Sequence, residues 1–400
     1  MEEVKLIFWI SAGIVFYTYL GYGILLLVLV KIKEFICPPR KNVVKEELPP
    51  VTIVIAAYNE EDVAEEKMDN TLELDYPPEK LKILWITDGS TDRTVDVLKS
   101  YRRVKGFSNE FEVLHKPERK GKTAAINRAM QFTDTPVVIF SDANAMLNPQ
   151  AVREIVSLFE DPHTGCVAGE KRIHRVETGK LSTKGEGLYW RYESFLKRMD
   201  SRLYTTVGAA GELYAIRREL FEELGETVLL DDFMLSMKIA SKGYRISYCP
   251  AAYAVEGGSH NLGEERKRKV RIAAGGVQSV IRLWRLLNIF HYPVLSFQYI
   301  SHRVLRWTVT PVALFLLFPL NLYILFQERS LIYLLLMLFQ VFFYTMGIAG
   351  ILLEKRGPVS KVMTIPGYFL FMNINVIRGF FYLCRRKKEG TGTWEKVKRA

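Results

Sequence analysis

Cysteine and histidine are scarce in these 400 residues, at 4 and 6 respectively. Cys37, Cys166, Cys249 and Cys384 stand far apart with no zinc-type spacing, so neither a thiolate metal centre nor a disulfide framework organises this chain. Internal repeats and low-complexity tracts are also missing, which removes solenoids and linker-like chains. No nucleic-acid module pattern occurs, so the net charge of +11 points to anionic lipid or phosphate ligands and not to nucleic acid. Charge itself is absent from several long stretches, and those stretches set the organisation of the molecule.

Leu6 to Val30 carries no charge and is long enough to cross a hydrocarbon layer of ~30 Å at ~1.5 Å per residue. The preceding Met1-Glu2-Glu3-Val4-Lys5 lacks the net positive charge of a signal peptide. Val309 to Phe326 and Leu331 to Leu353, joined by Gln327-Glu328-Arg329-Ser330, read as a helical hairpin through the bilayer. Val362 to Cys384 is ambiguous: it contains Pro366, Asn373, Asn375 and Arg378, and polar groups are costly at membrane depth unless they face protein or water. Lys31, Lys33, Arg40, Lys41 and Lys45 follow the first helix and by the positive-inside rule place the next segment in the cytoplasm. The basic tail Arg385-Arg386-Lys387-Lys388 belongs on the same side, which favours three true spans. The expectation is an integral protein of the cell (plasma) membrane with a cytoplasmic soluble domain. Its layout would be a transmembrane helix at 1–31, the domain at 48–276, interfacial helices at 277–308, a membrane region at 309–384 and a basic tail at 385–400.

Within the domain, Val51–Ala56, Leu81–Ile86 and Val137–Phe140 are β-branched-rich runs with the length of buried strands. Helix-like segments at 61–74, 91–103 and 122–131 alternate with them, predicting an α/β, Rossmann-like, mainly parallel sheet. Ligands of such sheets bind outside the carboxyl ends of the strands. There the sequence offers Ala57-Tyr58-Asn59-Glu60, Thr87-Asp88-Gly89-Ser90 and Ser141-Asp142-Ala143-Asn144. Farther on, Asp231 and Asp232 lie between apolar residues, suited either to general-base or metal chemistry or to capping the helix that follows.

As a set these motifs resemble the family 2 glycosyltransferases of the GT-A fold, the group that includes hyaluronan, cellulose and poly-N-acetylglucosamine synthases. The resemblance implies that Ala57, Tyr58, Glu60 and Asp88 bind the base and ribose of a nucleotide sugar, UDP-linked in most such synthases. It implies that Lys122 lies near the diphosphate, and that Asp142 and Asn144 stand where the family has Asp-x-Asp, holding Mg2+ or Mn2+. Asp232, with Asp231 beside it, matches the general base of an inverting displacement. Gly208, Gly211 and Glu212 match the acceptor-side loop. Arg271, with Lys269, corresponds to the family's Gln-x-x-Arg-Trp and would reach the diphosphate, but both the Gln and the Trp are lost. The expected activity is therefore transfer of a hexosyl or N-acetylhexosaminyl group to a growing polysaccharide, with transfer of one sugar to a polyprenyl-phosphate or lipid-linked acceptor as the alternative. Membrane lipid is a further expected partner, and many such synthases work with accessory membrane subunits.

Overall fold

The structure, a computed structural model, describes residues 1–38, 47–105, 110–173, 181–258, 261–354, 357 and 359–389. Arg40, Lys41, Lys45 and the tail from 390 onward lie outside the described residues. The strands are β1 (Val51–Ala57), β2 (Leu81–Asp88), β3 (Phe111–Lys116), β4 (Val137–Asp142), β5 (Met146–Leu147), β6 (Thr164–Ile173), β7 (Leu213–Arg217) and β8 (Arg245–Glu256). They form one sheet in the order β3-β2-β1-β4-β7-β6-β8-β5.

The parallel half follows from the sequence pattern. β1, β2 and β4 are apolar on both faces: Val51, Ile53 and Ile55 enter one core, while Val54, Leu84 and Val138 enter the other. Helices Ala64–Leu72, Thr94–Lys105 and Lys122–Met130 make the crossovers. β7 then enters antiparallel beside β4, and β6 pairs antiparallel with β7 and parallel with β8, so the sheet is mixed and mostly parallel. Register fixes the functional rim. Ala56 lies opposite Asp142 and Ala57 opposite Thr87, so β1, β2 and β4 end together.

Three helices are long and apolar enough to cross a membrane: Glu2–Ile36, which includes a π-helical stretch at Tyr17–Gly21, Val309–Gln327 and Leu331–Leu353. The first packs on the hairpin through Thr18 and Thr310, 2.9 Å apart, and through Trp9 Nε1, which donates to the Tyr333 hydroxyl at 3.1 Å. The fourth apolar segment is helical from Lys361 to Glu389, and its Asn373 and Asn375 are buried, whereas Arg378 is exposed. Tyr19 donates to Asn373 Oδ1 at 2.7 Å, and Asn375 donates to the carbonyl of Phe371 at 2.8 Å. A Cβ on Gly379 would lie 2.6 Å from that of Ala273, so this helix presses directly on helix Leu262–Arg282.

Candidate active site

At the carboxyl end of β2, Asp88 Oδ2 accepts backbone hydrogen bonds from Lys120 at 2.9 Å and Gly121 at 2.6 Å, which fixes the start of helix Lys122–Met130. The β1 end is clamped to the β2 loop: Asn59 Oδ1 accepts from the Thr91 amide at 2.8 Å, and Asn59 itself sits at φ 55. Arg119 lies over the Tyr58 ring, 3.6 Å from its centre. Tyr58 and Glu60 are half-buried at this rim.

Lys122 is the hub of the site. Its Nζ donates to Asp142 Oδ1 at 2.7 Å and lies 3.9 Å from Asp231 Oδ2. Burial works against its charge, but Asp142, Asp231 and Asp232 together hold the ammonium above its usual range. A Cβ placed on Gly211 would meet Lys122 Nζ at 2.9 Å and Asp232 Oδ2 at 3.3 Å, so the loop before β7 roofs the same spot. Asp232 is pushed up to about 7, first by burial and then by the neighbouring Asp231, with Lys122 and the Phe233 amide pulling the other way.

The two acids open helix Asp231–Ser241 without capping it: the N-cap is Leu230, which makes no side-chain cap bond. Asp232 Oδ1 accepts from the Phe233 amide at 2.7 Å, and the helix dipole favours both carboxylates. The helix is tied to the roofing loop by Ser236, whose Oγ accepts from the Ala209 amide at 2.9 Å and donates to the Asp232 carbonyl at 2.7 Å. Gly208, at φ 83, has the Phe233 ring 2.2 Å from where a Cβ would be, so the turn closes only with glycine.

Most of the sequence-predicted residues thus meet at one rim, but Lys269 does not join them. It is buried on the other side of helix Leu262–Arg282, 3.4 Å from Glu265 and 4.6 Å from the centre of the Tyr189 ring. Residues two apart on a helix point to different faces, and Lys269 is turned toward Glu265 and Tyr189. Arg271 shares its face with Gly275, which packs on Leu230 just before the acids, and its Nε is buried with no hydrogen-bond partner. Glu212 is ion-paired with Lys171 and contributes to the environment of Asp232.

Two residues escaped the sequence reading. Lys67 is fully buried; its Nζ donates to Ser141 Oγ at 2.8 Å and to the Ala145 carbonyl, bracketing the turn that carries Asp142 and Asn144. Burial lowers it to about 7 against the pull of Asp142. The Tyr214 hydroxyl is buried without a partner and its proton is held tightly, first by burial and then by Asp231 and Asp232. Tyr214 lies in the strand that follows the acceptor-side loop and reads as core, and Lys67 follows Glu65-Glu66 and reads as a solvated helix face.

For a divalent cation the structure offers Asp142 and, two residues on, Asn144. Among the described residues no three His, Cys, Asp or Glu side chains stand together as a cage. A carboxylate plus an amide oxygen is a donor set that fits Mg2+ or Mn2+ completed by substrate phosphates, not a closed protein site.

A mostly parallel sheet with a lysine and three carboxylates gathered at its carboxyl rim is a GT-A-like architecture. The sequence comparisons agree. Residues 52–225 match Glycosyl transferase family 2, so this stretch of the chain carries that family's domain. It is 29% identical over 245 residues to poly-beta-1,6-N-acetyl-D-glucosamine synthase of Staphylococcus aureus (strain MSSA476), covering 59% of this chain and 57% of that protein. It is 28% identical over 228 residues to the probable glycosyltransferase YdaM of Bacillus subtilis (strain 168), covering 53% and 51%. The alignments therefore span little more than half the length of these relatives. The fold is shared with mannosyltransferase PcManGT from Pyrobaculum calidifontis, solved in complex with GDP-Man and Mn2+, at a TM-score of 0.73 and 22% identity over 95% of this chain and 99% of that one.

Proposed function

We propose that this glycosyltransferase is an inverting membrane enzyme that moves a sugar from a nucleotide sugar, UDP-linked, to a growing polysaccharide. The observation that carries the reading is Asp232: a carboxylate raised to about 7, next to Asp231 and within the reach of Lys122. A general base works best when its pKa lies near the working pH. Asp232 takes the proton of the acceptor hydroxyl as that oxygen attacks the anomeric carbon. The bond from that carbon to the diphosphate breaks, and the leaving group departs with the electron pair toward Lys122 and Arg271. Asp142 and Asn144 would hold Mg2+ or Mn2+, which neutralises diphosphate charge when bound. Ala57, Tyr58, Glu60 and Asp88 line the nucleoside end, while Gly208, Gly211 and Glu212 form the acceptor side.

The polymer acceptor is supported by the Staphylococcus aureus relatives, which are poly-beta-1,6-N-acetyl-D-glucosamine synthases, and the nucleotide sugar and metal by PcManGT, solved with GDP-Man and Mn2+. Ile272 after Arg271, where the polymerising pattern has Trp, favours the second reading, transfer of one sugar to a polyprenyl-phosphate or lipid-linked acceptor. The three apolar helices and the basic flank after the first of them support a cytoplasmic catalytic domain at the cell membrane. The test is nucleoside diphosphate release by purified protein over a panel of UDP-sugars and GDP-mannose, followed by sizing of the product. A ladder of long, water-soluble chains supports polymerisation; a single organic-soluble product establishes the lipid-linked reading, and release from GDP-mannose alone overturns the UDP assignment.

A further inference from the structure

On the side of helix Leu262–Arg282 that faces away from the buried Glu265 and Arg268, a pocket of about 350 Å³ is lined by Arg266, Lys267 and Val270, with Arg378 contributed by helix Lys361–Glu389. The two helices are held in contact there by Gly379, which meets Ala273 and the backbone of Val270 and Ala274, so the cations are presented by a rigid crossing. Arg266, Lys267 and Arg378 are exposed. Lys267 Nζ lies 3.2 Å from Glu264, and Arg378 Nη1 donates to Asn375 Oδ1 at 3.4 Å, so both are oriented by neighbours on their own helices. Beside Arg378, Phe380 and Phe381 are 50% and 59% exposed. Exposed aromatic rings next to clustered cations are the surface chemistry of the membrane–water boundary, where headgroup phosphates meet acyl chains. The catalytic mechanism uses none of these residues.

We infer that this pocket is a binding site for the phosphate of an anionic membrane phospholipid, separate from the transfer site. The cations take the phosphate oxygens, Val270 and the flanking phenylalanines accept the glycerol and upper chain, and the lipid bridges the catalytic domain to the last helix. The test uses the full chain purified in mild detergent, with native mass spectrometry of added phosphatidylglycerol or phosphatidylcholine. Wild type should bind phosphatidylglycerol in preference. Arg266→Ala and Arg378→Ala should each weaken that binding roughly fivefold, corresponding to ~1 kcal/mol per basic residue at an anionic surface. Arg153→Ala, an exposed cation elsewhere on the domain, controls for general charge and should not change it. Equal binding of both lipids by wild type, or unchanged phosphatidylglycerol binding in both pocket variants, overturns the site. Displacement of the lipid by inorganic phosphate at equal concentration would show a free-anion site and overturn the lipid assignment. Correct folding of the variants is read from an unchanged melting midpoint.

Discussion

Asp232 sets two demands on pH that pull in opposite directions. As the base it must be unprotonated, so turnover should be low on the acid side, rise through a limb near pH 7 and level off above it. A rate profile with no limb between the ordinary carboxylate range and neutrality would remove Asp232 from the role. For stability the sign reverses. A carboxyl whose folded pKa is raised favours the fold while protonated, and that contribution is lost as pH rises through about 7. Asp232→Asn should therefore lower turnover about 10²–10⁴-fold while leaving nucleotide binding nearly intact, and should melt higher than wild type above pH 7 but not below pH 5. Melting curves at the two pH values, with nucleotide titrations, check this. Most of this residue-level picture was legible in the sequence, because Asp88 and Asp142 close strands and Asp232 opens a helix. The elevation of Asp232 was not, since it depends on burial and on Asp231 and Lys122 being brought together from distant segments.

At the scale of elements, the loop before β7 and the turn after β4 make the site, and their glycines and supports separate folding from function. Gly208→Ala forces a side chain into positive φ and into the Phe233 ring, and should destabilise by ~1–3 kcal/mol. Gly211→Ala instead meets the mobile end of Lys122, so the melting midpoint should hold while turnover falls. Equal loss of stability in both variants would show that the loop acts as one packing unit. Lys67 ties helix Ala64–Leu72 to the turn holding Asp142 and Asn144. Lys67→Met keeps its volume but frees that turn, and the Mn2+ concentration for half-maximal rate should rise on the order of 10-fold, the size of effect seen for groups that orient metal ligands. The parallel strands were readable because both faces are buried and so β-branched; β3, with Glu112, His115 and Lys116 on an edge, carried no such signal. Lys269 was misplaced by reading adjacency along the chain in place of helix geometry, which turns it toward Tyr189 and Glu265.

Across the whole molecule, the long apolar helices and the catalytic domain are joined by a buried charge network that no local pattern announces. Tyr22, on the first apolar helix, donates to Asp200 on helix Leu181–Leu203, and Asp200 Oδ2 lies 2.5 Å from His302 Nδ1. His302 Nε2 is 3.2 Å from Glu193, which also pairs with Arg303 at 2.5 Å and Arg306 at 3.2 Å. Burial works to raise the Glu193 carboxyl, but Arg303 and His302, with Arg306, hold it well below the usual carboxylate range. Arg303 Nε in turn donates to the Val207 carbonyl at 3.3 Å, at the head of the acceptor-side loop. One carboxylate therefore fixes the helical segment 300–307 to the domain and, through Arg303, the loop that roofs Asp232. Removing one member of a buried ionic group leaves its partners charged and uncompensated, at a cost of ~3–5 kcal/mol. Glu193→Ala should accordingly lower the melting midpoint of the detergent-purified protein far more than removal of the exposed pair partner Glu222, which is worth ~0–1 kcal/mol. Because unfolding of a detergent-purified chain is seldom reversible, the comparison is made at one scan rate. Similar midpoints for the two variants would mean that the domain and the apolar helices are held by their other contacts, among them Arg202–Glu34 and the Lys33 bonds to the Arg202 and Leu203 carbonyls, and the loop would then owe its position to Ser236 and Phe233 without help from Glu193.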